Sequence, residues 1–188
     1  MRKKGLVFVV SAPSGAGKST LAKRVFKTIS GLEFSISYTT RKPRAHEVDA
    51  VDYFFTDRNT FEKMVSEERF IEWAEVHDEL YGTPKDYIQN KIDSGCDVIL
   101  DIDVNGAQQI KKSGIDAIFI FILPPSIDVL KKRLIGRNTE NRDAQKLRLE
   151  NAIREMDEAN RYDYIVVNDD ISNATHIITS IIIAERHR

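Results

Sequence analysis

The sequence predicts an α/β fold in which a parallel five-stranded sheet is flanked by helices and interrupted by an inserted subdomain and a small mobile lid. Three observations predict it. Short, almost wholly apolar runs recur along the 188 residues with helical stretches between them, the pattern of strands buried on both faces of a parallel sheet. A glycine-rich loop follows the first run directly. Two polar, charge-rich segments break the alternation.

The strands are expected at Leu6–Val10, Val98–Leu100, Ala117–Leu123 and Tyr164–Val167, with Phe34–Ser37 as a weaker fifth. The helices are expected at Lys18–Ile29, at Ser126–Ile135 with Gly136 as terminator, and from about Arg142 to Asn160. A last helix places Ala174, Ile177, Ile178, Ile181 and Ile182 on one face. The segment 37–90 turns instead to short strands, Tyr53–Phe55 and Phe70–Val76, around a helix near Phe61–Glu67. The core is therefore expected at about 1–36 and 91–188, the inserted subdomain at about 37–90, and the lid at about 136–150.

Composition narrows the function. Hydrophobic residues make up 41% and charged residues 30%, with a formal net charge of -1. That balance suits a folded soluble chain and offers no global attraction to nucleic acid or anionic membrane. Any anion site must be built locally. Cys96 is the single cysteine, so no internal disulfide forms, which suits a reducing compartment. The apolar run after Arg2, Lys3 and Lys4 is too short for a signal-peptide core, and Ala117–Leu123 is far short of the ~20 residues that span a bilayer. A cytoplasmic protein is expected, with neither nucleic acid nor membrane as partner and no obligate protein partner evident.

Ser11–Thr20 reads SAPSGAGKST between an apolar strand and a helix, the setting of a Walker A phosphate loop. Ser14, Gly15, Ala16, Gly17, Lys18, Ser19 and Thr20 are the nucleotide-binding candidates. Gly15 and Gly17 let backbone N–H groups close on phosphate oxygens, and the following helix aims its positive end at the same point. Lys18 would neutralise the β and γ phosphates of ATP, and the Ser19 hydroxyl would ligate Mg²⁺. Ala12 stands where the motif usually opens with glycine. Asp101, ending its strand, is placed near the Mg²⁺ and its waters.

Two fragments imitate a GTPase: Asn90–Asp93 (NKID) and Asp103–Gly106 (DVNG). Their order along the chain is the reverse of the GTPase order, and Asn90 lies in a helical stretch rather than at a strand end. Both are set aside.

The acceptor site is expected in the insertion. Arg41 and Arg44 lie three residues apart in TTRKPR and could grip a phosphate, with the Tyr53 and Tyr81 hydroxyls beside them. Glu72 sits mid-strand among apolar residues, where a carboxylate needs a reason, and Asp103 is expected on the same strand face as Asp101. Carboxylates accept from the N1–H and amine of guanine, and hydroxyls satisfy its O6.

The motifs SAPSGAGKST, TTRKPR…DYFF, FIEWAEV, LYGT, ILDID, FILPPS, GRNTE and IVVNDD follow one another as in bacterial guanylate kinases. The chain resembles that P-loop nucleoside monophosphate kinase family over nearly all its length. The resemblance implies transfer of the ATP γ-phosphoryl group to GMP. It implies guanine contacts from Ser37, Glu72, Thr83 and Asp103, with Asp101 also at the GMP site, and GMP-phosphate contacts from Arg41, Arg44, Tyr53 and Tyr81. It implies that Arg133, Arg137 and Arg148 close over the phosphates and that Asn168 lies near the adenine. Lys18, Arg41, Arg137 and Arg148 are the catalytic candidates. The chain departs from the family at His46 and Ala50, where glycines are frequent, at Leu80, where a tyrosine is, and at Asn138, where a glycine is usual. Two other readings compete: a guanylate-kinase-like protein-binding module without activity, and a kinase for another nucleoside monophosphate. The intact Lys18 and Ser19 oppose the first, and Glu72 and Asp103 oppose the second.

Overall fold

Residues Val7–Ser11 form β1, buried along its whole length. Its side chains alternate: Phe8 and Val10 enter one core cluster, Val7 and Val9 the other. A strand apolar from Val7 to Val10 is thus sandwiched between two helical layers, which is why its sequence shows no polar alternation. The computed structural model describes residues 4–76, 78–135 and 142–188.

Around β1 the chain lays down β2 (Leu32–Phe34), β7 (Asp97–Asp101), β8 (Ile118–Leu123) and β9 (Tyr164–Val167). The sheet order is β2-β7-β1-β8-β9 and every pairing is parallel. One face is covered by α1 (Lys18–Thr28) and α7 (Ile171–Arg186), through Leu21, Ala22 and Val25 of the first and Ala174, Ile178 and Ile182 of the second. The other face is covered by α3 (Lys85–Asp93) and α4 (Val104–Ser113), through Ile88, Ala107 and Ile110. The five-stranded parallel α/β sheet expected from the sequence is present. The weakest strand forms slightly earlier than expected, because Leu32–Phe34 is the stretch in register with Asp97–Ile99.

The segment between β2 and β7 forms a second sheet. It comprises β3 (Tyr38–Thr39), β4 (Phe54–Phe55), β5 (Phe70–Val76) and β6 (Glu79–Pro84), in the order β4-β3-β6-β5, and β5 packs against α4. Helix α2 (Arg58–Ser66) packs on it by stacking Phe61 against Phe70 at 4.6 Å between ring centres. Gly82 makes that contact close: a Cβ there would lie 2.9 Å from both rings. The sequence showed β5 plainly, but β3 and β6 are too short or too polar to stand out by periodicity.

Asp103 is a correction. β7 ends at Asp101, and Asp103 instead caps α4, its carboxylate accepting from the Gly106 N–H at 2.7 Å. An aspartate that satisfies an orphan N–H of the first helical turn is a helix N-cap. The two GTPase-like fragments are explained locally: Asn90–Asp93 lies inside α3, and Asp103–Gly106 is this cap.

Helices α5 (Ile127–Ile135) and α6 (Arg142–Asp157) pack together through Leu130, Leu134 and Ala152. The Gly136 terminator, Arg137 and Asn138 lie outside the described residues. Among the described residues no helix is long and apolar enough to cross a membrane.

Candidate functional site

Between β1 and α1 the chain turns through Gly15 and Gly17, both at positive φ (87° and 93°), a conformation that costs glycine nothing. Gly17 is further constrained, since a Cβ would sit 2.7 Å from the Asn168 amide nitrogen. The loop is held from behind. Asn168 is buried and donates through Nδ2 to the Ala16 carbonyl at 2.7 Å, and Arg133 reaches the Ala16 and Asn168 carbonyls, each at 3.3 Å.

In front of the loop lies a cavity of about 570 Å³ lined by Ser14, Gly15, Gly17, Lys18, Ser19 and Thr20, with Asp103, Arg148 and Glu155 opposite. Lys18 Nζ donates to the Ile102 carbonyl at 2.6 Å and pairs with Asp101 at 2.9 Å. Glu155, on α6, accepts from the Ser14 N–H at 3.1 Å, and its pKa is raised chiefly by burial. The Ser14 amide therefore already attracts an anionic group.

Beside it lies a cavity of about 260 Å³ lined by Ser37, Tyr53, Glu72, Tyr81, Asp101 and Asp103. The two cavities share Asp103 and Val76 in their walls. Glu72 is 6% exposed, and burial foremost pushes its carboxyl up to about 7, with the nearby Asp103 charge adding to the effect. Thr83, fully buried behind it, donates its hydroxyl to Glu72 Oε1 at 2.5 Å. Gly106 leaves room for this carboxylate: a Cβ there would lie 2.6 Å from Glu72 Oε2. Gln109 fastens the strand that carries it, accepting from the Trp73 N–H and donating to the Trp73 carbonyl.

At the outer wall Arg41 meets the rings of Tyr53 and Phe55 at 5.5 and 5.9 Å, and Tyr53 meets Tyr81 edge-on. Arg44 lines the adjoining cleft with Ser19 and Asp101.

Against known proteins, residues 4–185 match the family model for guanylate kinase. The chain belongs to the guanylate kinase family. It is similar to the guanylate kinase of Rickettsia felis, 46% identical over 188 residues, covering 100% of this chain and 98% of that one. It is similar also to the guanylate kinase of Caldanaerobacter subterraneus, 44% identical with 100% and 91% covered. The crystal structure of guanylate kinase from Anaplasma phagocytophilum superposes with a TM-score of 0.82 at 31% identity, covering 100% of this chain and 89% of that one.

Within this frame the structure brings Ser14, Gly15, Gly17, Lys18, Ser19, Thr20 and Arg148 to one cavity and Ser37, Tyr53, Glu72, Tyr81, Asp101 and Asp103 to the next. Arg133, Ala16 and Asn168 form the support of the loop rather than its cavity wall. Arg137 lies outside the described residues. Of the family departures, Ala50 adopts φ 60°, a strained value for a residue with a Cβ, and Leu80 is buried. Sequence reasoning missed Glu47, Gly106 and Glu155. Only Glu47 left a signal, as an acid three residues beyond Arg44.

Proposed function

We propose that the protein catalyses Mg²⁺-dependent transfer of the ATP γ-phosphoryl group to GMP, and to dGMP, giving ADP and GDP or dGDP. The observation that carries this reading is the meeting of two cavities at Asp103, one floored by a phosphate loop and the other lined by Glu72, Asp101 and Asp103. Residues of about 37–90 act as the acceptor subdomain. The ionised Glu72 and Asp103 accept from the guanine N–H donors, and Ser37 serves O6. Arg41, Arg44, Tyr53 and Tyr81 hold the GMP phosphate.

A GMP phosphate oxygen attacks the γ phosphorus in line as the bond to the β-bridging oxygen breaks, so one P–O bond forms and one is lost. The protein contributes positioning and cations rather than covalent chemistry. Lys18 and the loop N–H groups hold the β and γ phosphates, with Arg148, and with Arg133 and Arg137 by family likeness, bearing on the charge in flight. The Ser19 hydroxyl, and the Asp101 carboxylate through water, would hold Mg²⁺ beside the loop. When bound, the ion offsets charge on the phosphate oxygens. Closure of the 136–150 segment over the phosphates would exclude water.

A coupled ADP-release assay with MgATP against GMP, dGMP, AMP, CMP, UMP and dTMP tests the proposal. GMP is expected to be the fastest acceptor. Equal or faster turnover of AMP or dTMP would overturn it.

A further inference from the structure

The loop that carries Arg41 and Arg44 contains an acid that the reaction does not call for. Glu47 is 7% exposed at its side chain and faces Arg41, itself only 16% exposed. Its two oxygens accept from Arg41 Nη2 at 2.9 Å and Nη1 at 3.0 Å, a bidentate pair. The oxygen facing Nη1 also accepts from the Arg44 N–H at 2.8 Å, and the Glu47 N–H returns to the Arg44 carbonyl at 3.0 Å. One carboxylate thus ties both arginines of TTRKPR into a single turn. The Arg41 hydrogen bonds, ahead of the Arg44 contacts, hold its carboxyl down at about 2, so it stays charged at any working pH.

These bonds engage a particular edge of the guanidinium. The Nη1 group is committed twice, to Glu47 and to the Lys42 carbonyl at 2.8 Å. The Nε–H belongs to the other edge, and Nε is buried without a hydrogen-bond partner. A buried unmet donor on a fixed cation is costly unless something accepts from it. The Tyr81 hydroxyl is within hydrogen-bonding reach of the same guanidinium, and Tyr53 packs under it. An arginine fork has two edges that match an oxyanion. Glu47 takes the Nη1–Nη2 edge.

We propose that Glu47 is a positioning residue that fixes Arg41 and Arg44 in the arrangement that receives the phosphate of the nucleoside monophosphate. The inference rests on the GMP phosphate binding at these arginines, as proposed above. Glu47 acts through the two arginines. It orders two long side chains in advance, which removes the entropy loss that binding would otherwise carry, and its charge keeps the arginine pair from repelling itself.

The test uses Glu47→Gln and Glu47→Ala in the full chain, with KM for GMP and for ATP, and calorimetric binding of GMP and of guanosine. Gln retains a carbonyl oxygen for the Arg44 N–H but loses the charge, and Ala loses both. Glu47→Gln is expected to raise KM for GMP by roughly tenfold and Glu47→Ala by more. KM for ATP and affinity for guanosine, which lacks the phosphate, should stay within about twofold. If Glu47→Ala does not accumulate as folded protein, the Gln variant decides. A parallel loss of guanosine or ATP binding makes Glu47 merely structural and overturns the inference. So does unchanged GMP affinity, and so does tighter GMP binding, which would make Glu47 a competitor. Absence of GMP turnover in the unaltered protein would instead strike the reaction itself, and the two failures are therefore distinct.

Discussion

Lys18 and Asp101 lie 2.9 Å apart, joining the first residue of α1 to the last residue of β7. Both side chains are largely buried. The phosphate-loop lysine therefore has a structural partner as well as a proposed catalytic role.

Lys18→Ala is expected to lower kcat by several orders of magnitude, because no other cation rises from the loop itself. It should also cost about 1–3 kcal/mol of stability by leaving Asp101 and the Ile102 carbonyl without their donor. Steady-state kinetics and thermal melts measure the two effects separately. Activity within tenfold of the unaltered protein would place the phosphates elsewhere.

Glu72 predicts a pH dependence. Its carboxyl is raised by burial from 4.5 to about 7, so between those values the folded chain holds a proton that the unfolded chain has released. Its contribution to stability is present below 4.5 and is lost as pH rises through 7. Guanine donors favour the ionised form, so GMP binding should release this proton and weaken below pH 7. The GMP phosphate titrates near about 6 as well, and Glu72→Gln supplies the correction. KM for GMP measured from pH 6 to 8 should fall more steeply in the native protein than in the variant. Identical slopes would remove Glu72 from base recognition.

Gly106→Ala tests the room left for that carboxylate. Its Cβ would stand 2.6 Å from Glu72 Oε2, well inside contact distance, and a tight 3.3 Å from Asp103 Oδ1. Alanine suits a helix better than glycine, so the fold should survive while Glu72 is displaced. KM for GMP is expected to rise about tenfold or more with KM for ATP unchanged. An unaltered GMP KM would mean that Glu72 can shift without consequence.

Arg186→Ala addresses stability alone. Arg186 Nε donates to Asp97 Oδ2 at 2.6 Å, while Asp97 Oδ1 accepts from the Leu6 N–H at 2.7 Å. The pair ties α7 to the start of β7, and the Asp97 side chain is 4% exposed. Removing the cation from a buried pair costs about 3 kcal/mol. The melting temperature should drop by several degrees while kcat at 25 °C holds. An unchanged melting temperature would show that Asp97 is satisfied by its other neighbours.

The sequence by itself determined the sheet and the phosphate loop. Strands such as Val98–Leu100 and Ala117–Leu123 are apolar at every position because both faces are covered, and a short buried run needs no distant partner to be recognised. Gly15, Gly17 and Lys18 are legible for the same reason, since their geometry is set within ten residues. Tertiary structure decided the rest. Asp103 reads as a strand residue until α4 begins and claims its carboxylate for the Gly106 N–H. Glu72 gains its raised pKa only when α4 closes over β5. Glu47 is one acid among many until the 41–47 turn brings it to both arginines. Asn168, 152 residues beyond Ala16, becomes a loop support only when β9 joins the sheet. Local pattern encodes what a residue's own neighbours bury, whereas the ionisation, crowding and pairing of a polar side chain depend on which distant segment the fold presses against it.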